Sequence, residues 1–337
     1  MNWEELLAEY RELGGIAENA DLRQGSLGRG IFPIDPEKPV RLRTPPNLLV
    51  ASADTELQAD KLVVKQSANV GKRERLFFER YQENFSWGAG TLNDLWQGQL
   101  AWRQLPGEVQ EKLLEIGPAD ADRFAEPTME LCYRRYLATR QFNYRGTPVL
   151  MPVMELINHR DQAPKYDSSD GIGVECKSAD EVGINYGPSD CWGMTMNYGF
   201  LAARRWAHSL IASFTFEDHE ITIYRKFSRR ESVNGVPLPM VEVNGDKIGF
   251  SFLMLGNTQR PRIPRAAFLH VAKTTPIKQP EELFDRIQHD NRIKLLGFLR
   301  LADGLSLPLA TLLRSAAYQQ LETLSAHIGT RDIQSDT

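Results

Sequence analysis

Apolar residues at positions 3, 6, 7, 10 and 13 fall on one side of a 3.6-residue helix, and Gly14-Gly15 stops the pattern. Residues 25–50 change rhythm. Glycine turns give way to extended pieces such as VRLRTPPNLLV, where Pro45-Pro46 forbids a helix. From residue 71 to about 142 the pattern is mostly helical, with Pro106 and Pro127 where new helices begin. From 148 to 200, short apolar stretches alternate with glycine, aspartate and serine turns. Residues 240–243 and 248–252 then flank Asn244-Gly245, a pair suited to the positive φ of a hairpin turn, and a second Asn-Gly stands at Asn234-Gly235. Residues 281–328 return to helix. Leu309, Leu312, Leu313, Ala316, Leu321, Leu324 and Ile328 form one apolar stripe there, which reads as packing. Residues 331–337 read as a frayed tail.

Short strands, a helical insert and a helical end give an α+β class, not the regular alternation of a doubly wound sheet. The formal net charge of -4 gives no attraction to nucleic acid or anionic membrane. No apolar run reaches the ~20 residues of a membrane helix, and the acidic, amphipathic start is unlike a secretion signal, so a cytoplasmic setting is expected. Cys132, Cys176 and Cys191 are widely spaced and odd in number, which predicts free thiols. Arg204, Arg205, Arg225, Lys226, Arg229 and Arg230 could meet an acidic partner but read first as a solvated basic face.

Missing motifs narrow the chemistry. Gly71-Lys72 lacks the first glycine of a phosphate loop, where Gln66 stands instead. There is no Rossmann glycine fingerprint, zinc-binding H-E-x-x-H or nucleophile elbow, and the histidines show no metal-ligand spacing. Four pieces remain. Ser26-Leu27-Gly28-Arg29-Gly30-Ile31-Phe32 pairs two glycines that let backbone approach a ligand; by itself it reads as a turn. Thr139-Arg140-Gln141-Phe142 ends a helical stretch with an arginine fork suited to a carboxylate; by itself it is a surface arginine. The apolar residues of 151–157 lead into Asn158-His159, a donor, an acceptor and a ring, or simply a buried self-satisfied turn. Tyr186-Gly187 and Asn197-Tyr198-Gly199-Phe200 set two phenols beside tight backbone, or contribute to an aromatic core.

In this order the four pieces resemble SET-domain protein-lysine methyltransferases, in the branch of the Rubisco large-subunit methyltransferase. The resemblance covers roughly residues 12–50 and 130–200 and is most specific from Asn158-His159 to Tyr198-Gly199-Phe200. It implies small twisted sheets with a pseudoknot-like C-terminal threading over 1–215, a helical insert at 71–142, and a mainly helical lobe over 216–330 for substrate binding. It implies S-adenosylmethionine as cofactor, no metal, and a partner protein with an accessible lysine. Leu27, Gly28, Arg29 and Gly30 would line the cofactor's methionine end, and Arg140 would pair with its carboxylate. Asn158 and His159 would hold its amino group and adenine edge. Tyr198 matches the catalytic tyrosine, with Tyr186 on a strand beside it. Arg160 replaces the family's serine, Glu155 its aspartate, and Asp190-Cys191-Trp192-Gly193 its asparagine-containing helix start. A SET fold that has lost catalysis and binds a partner protein is the alternative.

Overall fold

The computed structural model describes residues 1–225, 232–233 and 236–326. Its helices, in chain order, are α1 (Trp3–Glu12), α2 (Lys72–Phe85), α3 (Leu92–Arg103), α4 (Gly107–Ile116), α5 (Met129–Arg140), α6 (Cys191–Tyr198), α7 (Ile263–Ala272), α8 (Pro280–Ala302) and α9 (Pro308–Ser325). The insert is helical where the periodicity places it. Asn2 caps α1 in a reciprocal box with Glu5, and Leu6, Leu7 and Tyr10 form its buried face. The chain divides into two compact units, residues 1–100 with 126–187, and residues 101–125 with 188–337.

The first unit holds β1 (Ile16–Glu18), β2 (Ala20–Gly25), β3 (Gly28–Pro33), β4 (Val40–Thr44), β5 (Val50–Ala51), β6 (Thr55–Gln58), β7 (Lys61–Val64), β8 (Phe142–Tyr144), β9 (Thr147–Leu150), β10 (Asn158–His159), β11 (Ile172–Cys176) and β12 (Gly183–Ile184). They form small sheets: β1-β4-β11, β5-β9-β8, and the pairs β2-β3, β6-β7 and β10-β12. The last pair is parallel, with Asn158 opposite Gly183 and His159 opposite Ile184. One apolar core runs from Leu6 and Tyr10 through Ile31, Leu42 and Phe77 to Ile157 and Ile184.

The second unit holds β13 (Trp206–His208), β14 (Ala212–Phe216), β15 (His219–Tyr224), β16 (Ser232–Val233), β17 (Val236–Pro237), β18 (Met240–Asn244), β19 (Lys247–Ser251) and β20 (Met254–Asn257). Its four-stranded sheet runs β14-β15-β19-β18. In the β18–β19 hairpin Asn244 pairs with Lys247, so the turn is Gly245-Asp246, one residue later than the sequence suggests. Gly245 takes φ +63° at the first central position, as a type II′ turn requires. Leu313, Ala316 and Leu324 of the α9 stripe are buried, and Leu309, Leu312 and Leu321 half-buried. Asn234-Gly235, Ile328 and residues 331–337 lie outside the described residues.

Two expectations change. The boundary falls at Gly187/Pro188, not after 215, and residues 101–125 leave the insert for the second unit. Burial explains both: Trp102, Val109, Leu113 and Ile116 share a core with Trp192, Phe250, Phe284 and Phe298. The basic face is the second. Arg204 is buried, its guanidinium 5.1 Å from the Trp206 ring, and Arg225 pairs with buried Asp190. Arg205 is exposed, and Lys226, Arg229 and Arg230 lie outside the described residues. Cys132 and Cys191 are buried free thiols and Cys176 a half-buried one.

Candidate functional site

Gly28 and Gly30 do not form the turn that their spacing suggests. Gly25 pairs with Gly28, so Ser26-Leu27 makes the two-residue connection and both later glycines lie on β3. Leu27 is exposed at the tip, and Gly28 leaves the turn with φ +99°. The absence of a side chain matters most at Gly30. A Cβ there would lie 2.0 Å from Glu181 Oε1 and 2.8 Å from Asn158 Nδ2. The Val182 N–H donates to the Ile31 carbonyl at 2.7 Å, which holds this stretch against β3. Asn158 Nδ2 donates to the Arg29 carbonyl at 3.1 Å and to Glu181 Oε1 at 2.5 Å. The structure thus brings Arg29, Gly30 and Asn158 together and adds Glu181, which sequence reasoning missed.

The segment leading to Asn158 is strained. Val153 has φ +70° and ψ -50°, and the Met154 N–H donates to the Pro152 carbonyl at 2.8 Å. That is a γ-turn, unfavourable for a β-branched residue. Thr44 Oγ1 also donates to the Pro152 carbonyl, and Tyr10 Oη lies 2.7 Å from that hydroxyl. The turn carries Glu155 inward, where Tyr81 Oη (2.9 Å) and Tyr136 Oη (3.0 Å) donate to its carboxylate. Burial first, then the charge of Glu155, push both phenols well above their usual pKa, so they remain donors. Arg140, the last residue of α5, donates Nη1 to the Glu155 carbonyl at 3.2 Å. Burial opposes its charge most strongly, but Glu155 together with Tyr136, Tyr186 and Tyr81 outweighs burial and raises its pKa. Arg140 is a half-buried member of an internal network, not a surface arginine.

His159 is buried and its ring is committed to protein. Nδ1 lies 3.1 Å from both the Tyr186 N–H and the Ile184 carbonyl, and Nε2 lies 2.9 Å from Asp161 Oδ1. Its ring is 5.2 Å from that of Tyr186, whose hydroxyl donates to the Ile157 carbonyl at 2.8 Å. Tyr186 lies two residues beyond the end of β12 rather than on a strand. Arg160 fits because its side chain packs against Gly183: a Cβ on that glycine would stand 2.5 Å from Arg160 Cβ.

Tyr198 belongs to the second unit and is the last residue of α6. Gly199, in the left-handed conformation (φ +76°), closes the helix, and Phe200 lies 6.1 Å from the Tyr198 ring. Burial raises the Tyr198 pKa. At the other end Asp190 caps the helix by accepting from the Gly193 N–H at 2.8 Å, so Asp190-Cys191-Trp192-Gly193 is itself a capped start. The Asp190 carboxylate also accepts from Arg225 Nη2 (2.6 Å), Gln320 Nε2 (2.7 Å) and the His208 N–H (2.8 Å).

No protein-family profile and no curated protein matches the chain. Among solved structures, it is similar to the SET domain of LSMT bound to lysine and AdoHcy, with 14% identity over 99% of this chain and 92% of that one and a TM-score of 0.43. Rubisco LSMT bound to AdoMet is similar over the same shares at 14% identity with a TM-score of 0.45, and Rubisco LSMT bound to sinefungin and monomethyllysine at 14% with 0.43.

Proposed function

We propose that this chain binds S-adenosylmethionine and transfers its methyl group to a lysine side chain of a partner protein. The observation that carries the reading is the bridge made by Asn158, which ties the glycine strand at Arg29-Gly30 to Glu181. The same short segment carries Glu155 and, through it, Arg140. Both Asn158 amide hydrogens point at acceptors, so Oδ1, the Arg29 carbonyl and the Glu181 carboxyl form an acceptor set that suits the amino group of an amino acid. Arg140 suits its carboxylate.

Bound there, the cofactor supplies an electrophilic methyl group on a sulfonium. The residues of the chain then position and exclude water. In-line displacement gains most from orientation, and an amine attacks only when neutral. Tyr198 is the phenol assigned to orienting that amine. Its raised pKa keeps the hydroxyl protonated at neutral pH, so it serves as a hydrogen-bonding group and not as a base. Titration of S-adenosylmethionine into the protein by calorimetry tests the first half of the reading, and labelled methyl incorporation into captured protein the second. No heat at millimolar cofactor overturns both.

Two observations favour a second reading, a partner-binding fold without catalysis. The His159 ring nitrogens have protein partners, and the flank of Gly30 is filled from within by Glu181. Cofactor binding without methyl transfer would support it.

A further inference from the structure

Glu181 is 5% exposed, yet its only hydrogen-bond donor among the described residues is the Asn158 amide at 2.5 Å. No arginine or lysine of the described residues pairs with it. A carboxyl this deep ordinarily has a cation beside it, because burying it without compensation is unfavourable. Its position is built by absent side chains: Oε1 lies 2.0 Å from where a Cβ of Gly30 would stand, and Oε2 3.3 Å from that of Gly25. Both strands of the β2–β3 hairpin have a glycine where the carboxyl passes. The polar atoms left over once the Asn158 amide has donated are acceptors. Asn158 uses one amide hydrogen on the Arg29 carbonyl and the other on Glu181, which leaves Oδ1. An acceptor-only niche with a buried carboxyl calls for a ligand group rich in N–H donors and positively charged.

We propose that Glu181 is the counter-charge for the α-ammonium group of the bound cofactor, with Asn158 Oδ1 and the Arg29 carbonyl completing its acceptors. This rests on the reading that the site takes S-adenosylmethionine. It assigns the recognition of that charge to a residue outside the resembling motifs, and it makes the buried carboxyl the reason that a ligand without the amine is refused.

The test compares S-adenosylhomocysteine with its analogue in which hydrogen replaces the α-amino group, by calorimetry, on the full chain and on Glu181→Gln. The amide keeps the shape and an acceptor for Asn158 while removing the charge. The full chain should bind the amino ligand about 10- to 100-fold more tightly than the deamino analogue, the range for a hydrogen bond to a charged group. Glu181→Gln should lose that preference and bind the analogue within about twofold of the parent, by the same criterion. Equal weakening of both ligands, or of neither, overturns the inference and leaves the function standing. Failure of the parent to bind either ligand overturns the function and the inference with it. Should the variant not fold, the parent alone decides: equal affinity for the two ligands removes Glu181 as a counter-charge.

Discussion

A methyl group added at Gly30 has nowhere to go, with Glu181 Oε1 at 2.0 Å and Asn158 Nδ2 at 2.8 Å. Both obstacles are side chains held in place, Glu181 by Asn158 and Asn158 by a backbone carbonyl. Gly30→Ala should therefore destabilise by about 1–3 kcal/mol, the usual range for overpacking, and abolish the Asn158 bridge. Urea unfolding with parallel cofactor titration checks it, and unchanged affinity would detach the bridge from binding. Tyr198→Phe asks the opposite question, since only a hydroxyl is lost. It should keep the fold and cofactor affinity while lowering kcat and kcat/KM together by about 10²–10³, as for loss of one positioned donor. Because burial raises the Tyr198 pKa, the parent's rate should show no ionisation of this group near neutral pH. Equal labelled methyl incorporation by parent and variant would remove Tyr198 from the chemistry. Single residues differed in how readable they were. Asn158 and Arg140 stood out by type and spacing. Glu181 did not, because Ser178-Ala179-Asp180-Glu181 reads as an exposed polar loop; the one available signal was its place just before the buried Val182 and Ile184.

Helix α6 is only eight residues long, too short to stand on its own propensity, so its ends decide its position. Asp190 fixes one end with four donors from Gly193, His208, Arg225 and Gln320. Gly199 turns the other immediately after Tyr198. Asp190→Ala leaves Arg225 facing a buried void and should cost about 3–5 kcal/mol, as when one partner of a buried pair is removed. Burial disfavours the Asp190 charge, but Arg225, His208 and the two N–H donors outweigh it, and the folded pKa is lowered. The sign follows: its contribution is fully present above the unfolded carboxyl value of ~3.9 and lost as pH falls through the lowered folded value. The urea midpoint of the parent should drop in acid below about pH 4, and Asp190→Asn should flatten that drop. A parallel pH dependence in parent and variant would rule Asp190 out as its source. Elements were legible where periodicity is strong, as in α1 and α2 to α5. Turns were not. The hairpin at Gly245 moved by one residue, and the glycines at 28 and 30 became strand, because register is settled by cross-strand pairing rather than by the turn residues alone.

The division into two units was the least legible feature, since it depends on burial between residues far apart in the chain. Trp102 and Trp192 belong to one apolar core that the local pattern does not announce. The same limit affects the search for a ligand site in the first unit. A cavity of about 380 Å³ opens between β7 and α2, lined among others by Lys61, Leu76, Glu79, Arg80 and Glu83. By volume it falls within the range of small-molecule sites. Three of its charges, however, are already paired: Lys61 pairs with Glu83 at 2.6 Å and Arg80 pairs with Glu9, while Glu79 accepts from the Val64 N–H at 3.3 Å. Beside Gly30 and Asn158, by contrast, the buried Glu181 carboxyl has no cation among the described residues, so chemistry outranks volume there. Ligand binding to the native state alone should add about 2.7 kcal/mol at a cofactor concentration a hundred times Kd. Hydrogen exchange can say where that gain lies, because local opening is sampled segment by segment. With S-adenosylhomocysteine bound, amides of residues 28–31, 155–160 and 181–187 should slow, and those of residues 60–64 and 76–83 should remain as they were. Slowing confined to the β7–α2 cavity would move the ligand there and remove Gly30, Asn158 and Glu181 from its site.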